Sequence, residues 1–118
     1  MNSKEISEVV VRAADSKRAN DIVVLDMQKV SLMADYFVIA DAASSRQVKA
    51  IADEIVDQVE AGDVNVYSVS GKESARWILI DLGDVVVHIF QKDVRDFYNL
   101  EKLWSDAPIV NTDSWVEA

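Results

Sequence analysis

The most regular pattern of apolar and polar positions lies between Trp77 and Phe90, where two apolar-rich runs, Trp77 to Leu82 and Val85 to Phe90, flank the dipeptide Gly83-Asp84. A two-residue loop of that composition predicts a β-hairpin closed by a primed turn. The turn sets Leu82 opposite Val85, and so pairs Asp81 with Val86, Ile80 with Val87, Leu79 with His88, Ile78 with Ile89 and Trp77 with Phe90. Side chains alternate along each strand, so the hairpin has two unlike faces. Ile78, Ile80, Leu82, Val85, Val87 and Ile89 form a wholly aliphatic face that belongs to a core. Trp77, Leu79, Asp81, Val86, His88 and Phe90 form the other, a mixture of aromatic and ionisable groups that reads as an exposed interaction surface.

The same patterning predicts the remaining elements. Ile6, Val9, Val10, Ala13 and Ala14 fall at helical spacing within residues 3 to 18, with Asn2 and Glu5 as a capping pair and Asn20 as a stop. Asp21 to Asp26 and Tyr36 to Asp41 read as buried strands joined by a connection over Met27 to Asp35. Ala42 to Ala61 is the clearest helix, with Val48, Ile51, Ala52, Ile55, Val56 and Val59 on one side, Ser44 and Gln47 as a capping box and Gly62 as the C-cap glycine. Its outer face carries Asp53, Glu54, Asp57 and Glu60, with Lys49 as an i+4 partner for Asp53. Val64 to Val69 reads as a third strand and Ser70 to Ser74 as a loop. After the hairpin, Val94, Phe97 and Tyr98, continued by Leu100, Leu103 and Trp104, return to helical spacing.

This order predicts an α/β domain: a mixed sheet of about five strands with helices mainly on its aliphatic face. The second face has no helix assigned to it, which leaves an aromatic patch uncovered. The domain occupies residues 1–105, and Pro108 ends regular structure. Residues 106–118 form an acidic C-terminal tail in which Trp115-Val116 could dock or stay mobile.

Composition narrows the chemistry. A length of 118 residues suits one domain with its own core. With no cysteine and a single histidine, the chain lacks the means for disulfides, thiolate sites or a multi-histidine metal site. The N-terminus has no signal-peptide pattern and no apolar run approaches a membrane span, so a cytoplasmic protein without membrane contact is expected. A net charge of -9 argues against nucleic acid as the main contact and favours a basic or neutral partner, although acidity also serves solubility.

Three constellations invite a chemical reading. Asp26, Asp41 and Asp81 stand at strand ends and could hold a divalent cation in a metal-dependent nucleotidyltransferase, but aspartate is also an ordinary turn former there and no nucleotide-binding loop accompanies them. Asp81 and His88 are diagonal neighbours within hydrogen-bonding reach. Ser70 and Ser74 lie nearby, yet nothing builds a nucleophile elbow or an oxyanion hole, so the pair reads as a polar anchor between Trp77 and Phe90. Ser44-Ser45-Arg46 at a helix start could bind an anion, and capping explains the serines equally well. A dimeric adaptor, closing the aromatic face against a second copy, is a further alternative.

The runs ADYFVIADAASSRQVKAIADEI, GKESARWILIDLGDVVVHIF and FYNLEKLW resemble the ribosomal silencing factor family, the bacterial and organellar Iojap-related proteins, over approximately residues 5 to 105. The match is carried by Asp35, Ser44, Ser45, Arg46, Trp77, Asp81, Gly83, Asp84, His88, Tyr98, Leu100, Glu101, Leu103 and Trp104. The resemblance implies a nucleotidyltransferase-like architecture without catalytic activity or cofactor. It further implies binding to the large ribosomal subunit through its fourteenth protein, with the small subunit kept from joining. On this reading the partner surface is Trp77, Asp81, His88 and Phe90, extended by Tyr98, Leu100, Glu101, Leu103 and Trp104. A homodimer could use an overlapping face.

Overall fold

The hairpin forms in the predicted register. In the computed structural model, which describes Met1–Glu117, β4 (Trp77–Asp81) pairs antiparallel with β5 (Val85–Gln91), from Trp77 opposite Phe90 to Asp81 opposite Val86. The Leu82 amide donates to the Val85 carbonyl at 2.9 Å, and Gly83 alone of the two loop residues enters the left-handed region, at φ +86°. Glycine at the first central position is what a type II′ turn requires.

The other elements are α1 (Ser3–Ser16), β1 (Asn20–Asp26), β2 (Tyr36–Ala42), α2 (Ser45–Ala61), β3 (Ser68–Ser70), α3 (Lys92–Tyr98) and α4 (Leu100–Leu103), followed by a 3-10 turn at Asp113–Trp115. The five strands lie in the order β1-β2-β5-β4-β3. Only the central pair, β2 with β5, is parallel; the neighbours on either side are antiparallel. This is the mixed α/β architecture expected.

Both faces of the sheet are covered, unequally. On one, Ile78, Ile80, Leu82, Val85, Val87 and Ile89 join Val38, Ala40 and the inner stripes of α1 and α2 in the main core. On the other, Leu25, Ile39 and Phe90 pack with Met27 and Val30 of the β1–β2 connection and with Val94, Leu100 and Trp104. The short C-terminal helices thus lie on the second face, which is not left bare. The two long helices lie on the aliphatic side as expected, and the short C-terminal helices cover the other, where Val23, Leu25, Phe37 and Ile39 make β1 and β2 apolar on both sides.

Several boundaries differ from expectation for local reasons. The α1 capping box forms, with the Asn2 side chain accepting from the Glu5 amide at 2.8 Å and Glu5 accepting from the Asn2 amide at 2.9 Å. The helix nevertheless ends at Ser16, where Lys17 caps it and Arg18 turns to φ +59°, and Asn20 begins β1 instead of stopping α1. At α2 only half of the box forms. Ser44 accepts from the Gln47 amide, but the Gln47 side chain donates to the Lys17 and Arg18 carbonyls, which tethers the start of α2 to the end of α1. At its other end Gly62 keeps a negative φ and Asp63 takes the left-handed position. Asp53 pairs with Lys72 at 2.8 Å, not with Lys49. The third strand shrinks to three residues, and the C-terminal helical stretch breaks at Asn99, φ +47°.

The segment after Trp104 lies against the domain as far as it is described; Ala118 is outside the described residues. Asp26 donates its amide to the Pro108 carbonyl at 2.8 Å and Val110 donates to the Val24 carbonyl at 2.9 Å, so residues 108–110 line the free edge of β1. Trp115 is 8% exposed and enters the main core.

Two glycines with positive φ differ in what surrounds them. A Cβ on Gly83 would meet the ring edge of Tyr67 at 2.9 Å, and that ring is exposed and free to swing; a Cβ on Gly71 would collide with the Trp77 carbonyl oxygen, which the sheet holds. Gly83→Ala is therefore expected to cost about 1–3 kcal/mol, the strain of an L-residue in a backbone conformation that glycine alone adopts readily, and Gly71→Ala distinctly more. Urea unfolding midpoints of the two variants check the ranking.

Candidate protein-docking surface

The second face is built around aromatic rings that support one another. Trp77 at the start of β4 stands opposite Phe90, with ring centroids 4.9 Å apart, and Tyr98 from the end of α3 lies against it at 4.9 Å. Phe37 of β2 meets the His88 ring edge-on at 4.9 Å and Trp104 at 6.0 Å. Phe97 stacks edge-on against Tyr98 at 5.2 Å. Each contact falls in the range in which aromatic pairs attract.

Exposure sorts the candidate residues into two sets. Phe90 and His88 are 1% and 5% exposed, so they lie beneath the surface; the expectation that they stand on an open face is corrected. Phe37 of β2 meets His88, Trp77 of β4 meets both rings, and Val94, Leu100 and Trp104 of the C-terminal stretch pack in the same cluster as Phe90. Tyr98 and Leu103 are exposed, and Trp77, Asp81, Leu100, Glu101 and Trp104 are half-buried. Phe97, which helical spacing grouped with the inward-facing Val94, is 81% exposed. Trp77, Phe97 and Tyr98, with Ser74, Arg76, Asp93 and Val94, line an open groove of ≈ 490 Å³.

Asp81 and His88 do not pair. Asp81 accepts from the Gly83 amide at 2.8 Å and braces the turn, while the His88 Nδ1 accepts from the Trp77 Nε1 at 3.2 Å. Of the two diagonal neighbours open to His88, the indole prevails because it shares the buried apolar side, whereas the carboxylate stays at the half-exposed turn. Burial pushes the His88 pKa down to about 4, since nothing nearby compensates an imidazolium charge.

What holds α3 over this face is Arg95, a residue that the apolar spacing gave no reason to select. Its Nη1 donates to Asp41 Oδ2 at 2.9 Å and to the Asp21 carbonyl at 2.7 Å, and its Nε donates to Glu101 Oε1 at 3.1 Å. Asp21 sits at φ +48° in an irregularity of β1 that delivers its carbonyl to the guanidinium. Burial works against the charge on Arg95, but hydrogen bonds and attraction from Glu101 and Asp41 outweigh it and raise the pKa above its ordinary value. One signal was present in the sequence: Asp41 lies in an otherwise apolar strand, and a buried carboxylate requires a cationic partner.

The carboxylate trio is not assembled. Asp26 and Asp81 share the end of the sheet marked by Tyr36 and Val85 but are separated by β2 and β5, and Asp41 lies at the opposite end beside Phe90, engaged by Arg95. The reading as a metal-dependent nucleotidyltransferase through these three residues is therefore withdrawn; strand-end position in sequence did not specify which end of the sheet each would occupy. Among the described residues Ser44 acts as the α2 cap, and Arg46 is exposed beside it.

Arg95→Met would leave Asp41 buried and uncompensated, and a loss of about 3–5 kcal/mol is expected in urea unfolding; Arg95→Met with Asp41→Asn should recover part of it. His88 has a folded pKa below its unfolded value of about 6.5, so the unfolded chain binds the proton first and stability, full above pH 6.5, declines as pH falls toward 4. Between pH 7 and pH 5 the protein should lose about 2 kcal/mol more stability than His88→Phe, measured by unfolding at both pH values.

Comparison with known proteins agrees with this fold. The profile of the family described as "Ribosomal silencing factor during starvation" matches residues 1–118. The chain is 53% identical over 113 residues to the ribosomal silencing factor RsfS of Bacillus subtilis, covering 96% of each chain, and 38% identical over 98 residues to the chloroplastic protein Iojap of Zea mays, covering 83% of this chain and 42% of that one. A crystal structure of a Chromobacterium violaceum protein superposes with a TM-score of 0.87 at 36% identity, covering 89% of this chain and 88% of that one. One from Bacillus halodurans superposes at 0.82 with 45% identity, covering 92% and 99%. The chain belongs to the ribosomal silencing factor family.

Proposed function

We propose that this protein is a non-catalytic repressor of translation that docks on the large ribosomal subunit through its fourteenth protein and, by occupying that site, keeps the small subunit from joining. The observation that carries the reading is the linked aromatic surface of Trp77, Tyr98 and Phe97, presented to solvent by a protein of net charge -9. Aromatic anchors beside a groove are the usual centre of a protein interface. The overall negative charge favours approach to a basic protein over bare RNA.

The docking face follows the exposure pattern. Trp77, Tyr98, Phe97 and Leu103 supply contact area, Glu101 an acidic neighbour, and Leu100 and Trp104 a half-buried floor, while His88 and Phe90 support them from within and Asp81 braces the turn. Occupancy suffices as mechanism. Inhibition then scales with the fraction of large subunits bound and needs neither turnover nor cofactor, in the cytoplasm where the subunits meet. The described residues contain no helix long and apolar enough to cross a membrane, which accords with this setting.

Co-sedimentation with isolated large subunits tests the face. Trp77→Ala and Tyr98→Ala should each weaken binding by about 2 kcal/mol, roughly 30-fold, and should restore subunit joining in a light-scattering assay in the same proportion. Unchanged binding by a folded double variant would remove this face from consideration.

A further inference from the structure

The Trp77 ring packs against Phe90 and Tyr98, each with its centroid 4.9 Å away. Stacking of this kind is governed by ring faces and tolerates both flips of an indole about χ2, because the terminal torsion of tryptophan is broad and roughly two-fold. The hydrogen bond to His88 distinguishes the two flips. It engages the indole N–H at 3.2 Å, and a flipped ring would carry that N–H away from Nδ1.

Packing alone does not call for an imidazole at position 88. Its surroundings are aromatic: Phe37 edge-on at 4.9 Å, Phe90 stacked at 6.2 Å and Trp77 at 5.9 Å. A phenyl ring would fill that space and carry no polar atom of its own, at the expense of the acceptor for the Trp77 N–H. With Nδ1 accepting, the neutral ring carries its proton on Nε2, and that atom is buried without a partner among the described residues. The position thus retains one unsatisfied buried donor while providing an acceptor to Trp77, an arrangement that costs stability and gains orientation. Being 5% exposed, His88 offers almost no surface to a docking partner.

We infer that His88 is a positioning residue for docking: it fixes the Trp77 indole with its N–H turned inward, so that the partner meets a carbon ring surface and must supply an apolar group there, not a hydrogen-bond acceptor. The inference rests on the reading of Trp77 as part of the docking face, and the test separates the two. The full chain, labelled with ¹⁵N-tryptophan, reports the Trp77 indole N–H by NMR, assigned through Trp77→Phe. In His88→Phe that proton should lose its protection from solvent exchange and large-subunit binding should weaken about tenfold, the scale of one hydrogen bond, while unfolding stays cooperative. His88→Asn, whose amide oxygen can stand near the position of Nδ1, should recover protection and most of the affinity. Trp77→Phe, which keeps a ring and lacks the N–H, should be insensitive to a second change at His88. Full affinity in His88→Phe with the indole proton freed would overturn the positioning role, as would a proton that stays protected in that variant. Full affinity in Trp77→Ala would instead overturn the docking face itself.

Discussion

Everything on either side of this sheet depends on the register between β4 and β5. Two residues close the hairpin, Gly83 takes the conformation the turn requires, and the Leu82 amide meets the Val85 carbonyl. A slip of one residue would send Ile78 and Ile80 to the side of α3 and bring Trp77 toward α1 and α2. Because β5 is also the parallel neighbour of β2, the hairpin transmits its register to the centre of the sheet. The Asp81 carboxylate, bonded to the Gly83 amide, reinforces the turn from the strand side.

The second face is held by a different kind of interaction. Aliphatic side chains on α1 and α2 suffice for the main core, but α3 and α4 are short, and helices of that length have little stability of their own. Arg95 supplies the fixed point. One guanidinium gathers a β2 carboxylate, a β1 carbonyl and the α4 carboxylate of Glu101, and so ties three elements to α3. Val94, Leu100 and Trp104 then close over Leu25, Ile39 and Phe90. Tyr98, on the same short helix, is carried to Trp77.

That construction accounts for the unusual chemistry of the patch. Beneath it are groups that a core normally excludes, a histidine bonded to Trp77 and an ion pair gathered by Arg95. Above it are rings that a surface normally hides. The buried layer is rigid and polar at chosen points, which orients the exposed layer without demanding catalytic geometry from either.

The hairpin, the two long helices, the mixed sheet and the aliphatic core could be read from the chain because they follow from local rules: alternation in strands, helical spacing, and a turn dipeptide that fixes pairing. The same rules placed Trp77 on the mixed face, and Tyr98 joined it only through the resemblance to the family. They could not separate His88 and Phe90, which lie beneath the surface, from Trp77, which reaches it, because the cover comes in part from Phe37, Leu100 and Trp104 on other elements. Nor could they assign Asp41 to Arg95, since an ion pair spanning 54 positions leaves no periodic trace. Phe97 was misplaced for a related reason: helical spacing gives the side of a helix, but which side meets the sheet is set by the guanidinium that docks it. What the sequence by itself determined was the set of elements and the two-faced hairpin; tertiary structure alone decided which residues of the second face remain in contact with water, because burial there depends on contacts between segments distant in the chain.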